Sequence, residues 1–451
     1  MISTSKDNRS VVVTGLGAVT GLGIGVEALW DALLAGRSAV APMQSIEPGD
    51  FPCAYAAEVG EFKARDYVPK KYRKGVKVMA RDIELAVGAA MLAVQDAALV
   101  TRGTDADAEP TYAPGRCGAQ IGAGVIAAEV NELTEAMNKS RDENGQYSLK
   151  LWGEQGMGAL TPLWLLKYLP NMLACHVTIV HGCEGPSNTI TCGEASSLLC
   201  IGESMRVIRR GDADLCFTGG AESKLNLLHL IRQYFNGKLA STSPGMKGGD
   251  IIRPFDTSDY PGGGVVGEGA GIVIVEARDT AENRGAKMYA EIIGFGSSIA
   301  SRIDPQTGAL TAGPARDGRG MQTAIGAALR EAGCQAEDID AIIPMGAGIP
   351  SWDEAEAAAL RAVFGRRLRE IPQILTRPCL GNCGAGSGGI DMAIAALCLK
   401  EQKLPARINA GQPPEDLLAS SAPAADAALE RMLVMSISEC GECVALVLQK
   451  T

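Results

Sequence analysis

Apolar residues recur along this chain in two rhythms: short unbroken runs that read as buried strands, and longer stretches at helical spacing. The first run, Ser10-Val-Val-Val-Thr-Gly-Leu-Gly, predicts a buried strand and a glycine turn, followed by a helix over about Gly25–Ala35. A helix at Ile83–Ala98 leads through a polar loop to Cys117-Gly-Ala-Gln-Ile-Gly-Ala-Gly. Much later, Thr323–Ala332 leads to Ile339-Asp-Ala-Ile-Ile-Pro-Met-Gly-Ala-Gly, the same order of helix, loop, short strand and G-A-G. A second echo pairs Thr191-Cys-Gly-Glu-Ala-Ser-Ser-Leu-Leu with Asn382-Cys-Gly-Ala-Gly-Ser-Gly-Gly-Ile, each a small-residue turn opening an apolar helix. These helices, Glu194–Arg210 and Gly388–Lys400, are apolar on most faces, which suits burial between sheets. Their N-termini offer free N–H groups and a partial positive charge, so both turns are candidate chemical sites. Two copies of one α/β unit joined near residue 255, as halves 1–255 and 256–451, account for the length of 451 residues. Loops are expected at Thr101–Gly115, Asn138–Gly145 and Gly411–Ala427.

Composition narrows the function. The balance of 42 basic against 52 acidic residues leaves a charge of −10, which argues against nucleic-acid binding as the main activity. The first ten residues lack the apolar core of a secretory signal, and the stretch Leu160–Met172 is broken by Pro162, Lys167 and Pro170, so a soluble cytoplasmic protein with no membrane partner is expected. Gly15, Gly17 and Gly21 miss the dinucleotide-binding spacing by one residue, and no cofactor is implied. The 13 cysteines are scattered, and buried reduced thiols are expected. Cys440 and Cys443, with Cys379 and Cys383, are the one pairing with a zinc-like look, and the glycine-rich turn around the second pair speaks against metal.

Specific motifs then accumulate: Val11-Val-Val-Thr-Gly-Leu-Gly, Leu169-Pro-Asn-Met, Gly185-Pro-Ser, Gly211-Asp-Ala-Asp, Gly219-Gly-Ala-Glu, Arg253-Pro-Phe-Asp, Gly267-Glu-Gly-Ala-Gly, and Asp353 with Glu356. With these the chain resembles the β-ketoacyl synthases of fatty-acid and polyketide synthesis over nearly its whole length. The resemblance implies the thiolase fold, a duplicated α/β unit in five α-β-α-β-α layers that works as a dimer. It also implies condensation of an acyl chain with malonyl on an acyl carrier protein, through a cysteine nucleophile and two histidines. A thiolate takes the acyl chain, and two imidazole donors stabilise the charge that builds up as CO2 leaves.

At each of those positions this sequence departs. The cysteine lies nine residues after the glycine of G-P-S, and nine after Gly185 is Glu194. The first histidine is matched by Met345, which cannot donate a hydrogen bond, and the second by Asn382, five residues after Arg377. Structural roles are expected for His176, His181 and His229, and Cys192 and Cys200, which flank Glu194, are expected to point elsewhere. The family's glycine-phenylalanine gate is matched by Ser438–Gly441, and the aromatic residue expected before Val265 is Gly264. Glu194 is ionised and held by the helix N-terminus, ionised and held by a cation such as Arg377, or neutral through burial; the sequence leaves all three open.

The branch of the family that loses these groups is the chain-length factor, the inactive partner of the ketosynthase in type II polyketide systems, and Gly346-Ala-Gly-Ile-Pro-Ser-Trp-Asp-Glu-Ala-Glu356 looks most like it. The first reading is therefore a chain that pairs with an active ketosynthase and shapes the acyl tunnel. The resemblance places the tunnel end at the dimer interface, on the helix following Gly124, at Ile126, Glu129 and Leu133. Ile126 is a modest plug, which suggests a long or slender product. A second reading is a malonyl-carrier decarboxylase that supplies primer, weakened by the loss of both imidazoles. A third is a homodimer that holds an acyl chain or carrier without catalysis. Lys70, Lys71, Arg73, Lys74, Arg206, Arg209 and Arg210 offer positive charge to an acidic carrier.

Overall fold

The computed structural model describes residues 9–304 and 306–451, so most of the N-terminal stretch considered above for a targeting signal lies outside the described residues. Nine strands carry the fold: β1 (Val11–Thr20), β2 (Cys117–Ala123), β3 (Ser187–Ile190), β4 (Leu215–Ser223), β5 (Val266–Ala277), β6 (Ala290–Ile299), β7 (Ala341–Ile343), β8 (Arg431–Ile437) and β9 (Glu442–Gln449). The principal helices are α1 (Val26–Leu34), α2 (Arg81–Asp96), α3 (Val130–Lys139), α4 (Met172–His181), α5 (Ser196–Arg209), α6 (Leu227–Phe235), α7 (Arg319–Ala332), α8 (Pro350–Phe364) and α9 (Ser387–Glu401).

Hydrogen bonding links the strands in the order β7-β8-β9-β6-β1-β5-β4-β2-β3. In the strand order the two copies join where Val11–Val13 of β1 pair with Ala290–Ile292 of β6. On one side of that seam the order is β1-β5-β4-β2-β3, with β2 parallel to β4 and β3 and β5 antiparallel to its neighbours. On the other it is β6-β9-β8-β7, extended by a parallel bridge between Ile342 and Gln373. Numbered within each copy, both read first-fifth-fourth-second-third, so the internal echoes of the sequence are copies of one folding unit; β5 completes the first copy, and the join falls between Ala277 and Ala290 rather than near residue 255.

The layers follow from which faces are apolar. Every residue from Ser387 to Leu399 of α9 is buried, as a helix with no polar face demands, and α9 lies beside α5 between the two sheets. The central core joins these helices to both sheets. A second core packs α2 and α4 on the outer face of one sheet, and a third packs α7 and α8 on the outer face of the other. This is the five-layer α-β-α-β-α arrangement of the thiolase fold. All residues of β1 and β5 are buried, and both strands are largely apolar, with Thr14, Thr20, Glu268 and Glu276 as their buried polar members.

Glycine at two pairs of positions sets how closely the outer helices approach. A Cβ on Gly15 or Gly17 would lie 2.4 Å from the Ala93 oxygen or 1.9 Å from the Ala89 oxygen of α2. A Cβ on Gly294 or Gly296 would lie 2.2 Å from the Ala328 oxygen or 2.0 Å from the Ala324 oxygen of α7. The glycines rejected above as a dinucleotide site thus serve helix-on-strand packing, in both copies.

Two expectations shift. The loop expected from Asn138 begins later, because α3 continues to Lys139, supported by a Lys139–Glu135 pair at 2.6 Å and a Ser140 Oγ bond to the Ala136 oxygen at 2.6 Å. Ile126 and Glu129 were expected on the helix after Gly124, but α3 starts at Val130 and only Leu133 lies on it. The reason is local: Asn226 Nδ2 donates to Glu129 Oε1 at 3.1 Å and to the Ala128 oxygen at 3.5 Å, holding that segment extended. No helix among the described residues is long and apolar enough to cross a membrane.

Gly17→Ala and Gly296→Ala are each expected to destabilise the chain by about 1–3 kcal/mol through overpacking. Urea unfolding at equilibrium measures this, and unchanged midpoints would refute the close approach.

Candidate functional site

The site forms where strand ends and helix beginnings meet. Lys224 follows directly after β4, Met345 lies two residues past β7, and Glu439 lies two past β8, all at the carboxyl ends of strands. Glu194 and Asn382 arrive on the turns that open α5 and α9. Those turns are twins: Gly193–Ala195 and Gly384–Gly386 are both single 3-10 turns, and Gly193 and Gly384 take φ of +53° and +54°, a region that favours glycine. The Ser196 hydroxyl accepts from the Cys192 N–H at 2.8 Å and donates to the Gly193 oxygen at 2.7 Å, and Ser436 Oγ donates to the Glu194 carbonyl at 2.8 Å. The backbone under Glu194 is therefore held from both halves of the molecule.

Its side chain is 3% exposed. Lys224 Nζ donates to Glu194 Oε1 at 2.7 Å and Asn382 Nδ2 donates to the same oxygen at 3.0 Å. Burial alone would raise the Glu194 carboxyl, but the Lys224 and Lys238 ammonium groups, with the hydrogen bonds from Lys224 and Asn382, outweigh it and hold the group well below the usual carboxylate range. Lys224 answers in kind: burial would lower it, while Glu194 and Glu222 raise it above its ordinary value. Glu194 is thus ionised and paired with Lys224, a residue the sequence reading did not single out.

Arg377, considered above as that cation, is engaged elsewhere. Its NH2 group donates to Asp391 Oδ2 at 2.6 Å and lies 3.8 Å from the Met345 sulfur, so it sits beneath Met345 rather than beside Glu194. Met345 is 1% exposed, and its N–H and that of Gly346 donate to the two oxygens of Glu356 at 2.7 and 2.9 Å. Burial pushes Glu356 up to about 7 despite these amides and Arg377. Asp353 accepts from the Phe255 and Gly348 N–H groups at 2.8 and 3.1 Å, so the two acidic residues of the motif brace the loop that carries Met345.

Lys224 stands between two recesses. In front of Glu194 is a cleft of about 160 Å3 lined by Gly124, Cys192, Lys224, His229 and Glu439 among others. On the far side, Met345, Asn382, Trp352 and Gly264 line a recess of about 20 Å3. Cys192 therefore faces the same cleft as Glu194, contrary to expectation, because the turn at Gly193 folds it back, whereas Cys200 is buried within α5. His229 also lines this cleft, with its Nδ1–H donating to the Ser223 oxygen at 3.1 Å, while His176 and His181 lie on α4. The gate-like segment is tethered by Glu439, which accepts from Lys238 Nζ at 2.7 Å and Asn236 Nδ2 at 2.5 Å. Lys238 in turn lies 4.7 Å from the centre of the Trp352 ring. Leu133, Ile126 and Glu129 line no part of the Glu194 cleft; Glu129 borders a separate cleft with Asn226, Arg81 and Lys167. Cys379, Cys383 and Cys443 are buried and Cys440 is exposed, and among the described residues no group of three or more His, Cys, Asp or Glu is arranged to hold a metal ion.

With this geometry in place the comparisons with known proteins are direct. The β-ketoacyl synthase N-terminal domain matches residues 8–281 and the C-terminal domain matches residues 289–411. The chain belongs to the β-ketoacyl synthase family. It is 29% identical over 409 residues to 3-oxoacyl-[acyl-carrier-protein] synthase 2 of Staphylococcus aureus, covering 90% of each chain. A Synechocystis protein of the same description is 29% identical over 410 residues, covering 90% of this chain and 89% of its own. Among solved structures it is similar to the ishigamide ketosynthase/chain length factor, with a TM-score of 0.80, 24% identity and coverage of 98% and 99%. A type II polyketide synthase ketosynthase in complex with its acyl-carrier protein superposes with a TM-score of 0.81 at 23% identity, again covering 98% and 99%. At these identities the two structures speak to the fold.

Lys224→Met leaves a buried carboxylate unpaired and is expected to cost about 3–5 kcal/mol of stability, most of it recovered when Glu194→Gln is added. A double-mutant cycle by urea unfolding checks this. Because the folded Glu194 carboxyl is depressed, its contribution is fully present above the ordinary carboxyl pKa of about 4.3 and is lost as pH falls from there through its lower folded value. Glu194→Gln is therefore expected to flatten the acid limb of stability against pH below about 4.3, measured as melting temperature.

Proposed function

We propose that this chain is a ketosynthase homologue that has given up condensation and acts as a chain-length factor, pairing with an active ketosynthase and shaping the tunnel that holds the growing acyl chain. The observation that carries this reading is the buried Glu194–Lys224–Asn382 cluster in place of thiol and imidazole, with Met345 at the remaining position. An ionised carboxylate locked by a lysine cannot take an acyl group as a stable thioester, and Met345 offers no donor to a developing enolate. The fold is retained around the altered site, as a structural partner requires. Two further points support it. β3 is an edge strand bonded only to β2, with Ser187 and Asn188 exposed, which leaves a row of backbone groups for a second chain. One of the similar structures is itself described as a ketosynthase/chain length factor.

In this reading Ile126, Glu129 and Leu133 lie at the tunnel end, and the partner presents the acyl or malonyl groups borne by an acyl carrier protein. The test has two parts. Incubated alone with malonyl-loaded carrier protein and followed by intact mass, the chain is expected to release no CO2 above the carrier-only blank; appearance of acetyl-carrier would overturn the reading in favour of a decarboxylase. Co-expressed with a Cys-His-His ketosynthase, it is expected to co-purify and restore condensation. Ile126→Trp in that pair is expected to shorten the product by one or more extension units, read by mass spectrometry, and an unchanged length would remove Ile126 from the tunnel.

A further inference from the structure

The helix α6 is turned inside out. Leu227, Leu228, Tyr234 and Phe235 are exposed, while His229 and Gln233, four residues apart on one face, are 3% and 6% exposed and line the cleft in front of Glu194. A surface helix ordinarily hides its apolar face, and burying polar side chains instead is costly unless they find partners. An arrangement that runs against both rules asks what those two side chains are for.

Both present unclaimed polar atoms to the cleft. The Ser223 carbonyl, 3.1 Å from His229 Nδ1, can only accept, so Nδ1 carries a proton and Nε2 of the neutral ring is an acceptor. Among the described residues Nε2 has no hydrogen-bond partner, yet it is open to solvent, whereas Nε2 of His176 and of His181 is sealed. The Gln233 amide likewise bonds to no described residue, and neither its oxygen nor its nitrogen is sealed. The acidic side chains of the same cleft are all taken: Glu194 by Lys224 and Asn382, Glu222 by the Ala385 N–H, Glu439 by Lys238, and Glu442 by Ser438. These four acidic groups against Lys224 and Arg232 disfavour an anionic guest.

We propose that this cleft is a binding site for a neutral aliphatic guest that bears a hydroxyl group, seated against Nε2 of His229 and the amide of Gln233. A hydroxyl both donates and accepts, so it completes the imidazole nitrogen and either end of the amide, and it reproduces the bonds of a water that it displaces. Ala123, Val125 and Cys192 supply apolar contact for the rest of the guest. A cavity of ~150 Å3 admits benzene, so the 160 Å3 here suits about six or seven heavy atoms. In the function proposed above, on which this one step rests, the guest is a hydroxyl-bearing stretch of the acyl chain. Binding itself is a property of this chain alone.

The test uses the full chain without a partner and two neutral probes of matched shape, 3-hydroxybutyramide and 3-methylbutyramide, which exchange a hydroxyl for a methyl group. Titrated by ligand-observed NMR, the better enantiomer of the hydroxyl probe is expected to bind saturably and about fivefold more tightly than the methyl probe, the worth of one hydrogen bond. With only three histidines in the chain, 15N-histidine labelling locates the site: the His229 ring signals are expected to shift with the hydroxyl probe, assigned by substituting His176 and His181 in turn. His229→Leu and Gln233→Leu are each expected to erase the preference. The absence of saturable binding, equal affinity of the two probes for the native chain, or shifts at His176 or His181 in place of His229 would each overturn the proposal. The probe contrast and the ring signals decide it even where the leucine variants fail to fold. Failure to co-purify with a ketosynthase would count against the pairing and leave this binding result standing.

Discussion

Two helices that bury nearly all of their surface, α9 from Ser387 to Leu399 and α5 except for its Glu203–Arg206–Arg209 edge, must lie between two sheets, and the geometry of everything else in this molecule follows from that constraint. α5 and α9 approach the strands at backbone distance: a Cβ on Gly271 would sit 2.2 Å from the Gly389 carbonyl carbon, and one on Gly122 would sit 2.7 Å from that of Ser196. Ser197 Oγ donates to the Ala385 oxygen, so the first turn of one helix is bonded to the turn that opens the other. Helices packed this closely from opposite copies of the unit bring their N-terminal turns together, and the residues on those turns, Glu194 and Asn382, meet although 188 positions separate them. The site is a consequence of duplication: neither half contains it.

That convergence gathers helix N-termini and free amides in one small volume, which suits an anion. In this chain the anion is built in. Glu194 satisfies Lys224 and Asn382, and nearby Glu222 accepts from the Ala385 N–H at 2.7 Å at the mouth of α9. The space for Glu222 exists because positions 124 and 384 are glycine; a Cβ there would lie 2.1 and 1.9 Å from its carboxyl atoms. A buried carboxylate needs a cation at contact distance, and Lys224 meets that need from the end of β4. Glu194, Lys224 and Asn382 thus form a closed set of polar partners behind the cleft.

Much of this was legible in the sequence. The echoes of helix, loop, strand and G-A-G marked the duplication, and the apolar runs placed β1 and the central helices to within a few residues, because those elements are buried all round and their composition says so. The resemblance assigned Glu194 and Asn382 to the family's catalytic positions by counting from Gly185 and along the run from Arg377, and the fold brings these two residues together. What the sequence could not give was pairing across the fold. Lys224 lies two residues beyond the Gly219-Gly-Ala-Glu motif, yet nothing in its neighbourhood says that its ammonium reaches a turn 30 positions earlier. Arg377 was the plausible cation by proximity to Asn382 in the chain, but Asp391 on α9, one turn into the same helix, claims it. Cys192 was misjudged for a related reason: helical periodicity does not extend through a turn whose glycine has positive φ.

The segment at the site's edge follows the same logic of replacement by charge. By resemblance, this is where a condensing enzyme keeps a glycine-phenylalanine gate that must move. Here Glu439 is bound to Lys238 and Asn236, its carbonyl accepts from the Gly313 N–H at 2.6 Å, and the Cys440 carbonyl accepts from Ser301 Oγ at 2.6 Å. Contacts therefore hold the segment from α6 on one side and from the strands following β6 on the other. Opening it would separate a partly buried carboxylate from Lys238, whose own side chain is 6% exposed and lies against Trp352. Partly buried pairs of this kind are costly to break because neither charge gains full solvation in exchange. Under the function proposed above, a gate with no acyl group to admit has no use for mobility, and the Glu439 contacts fasten the segment beside the Glu194–Lys224 pair.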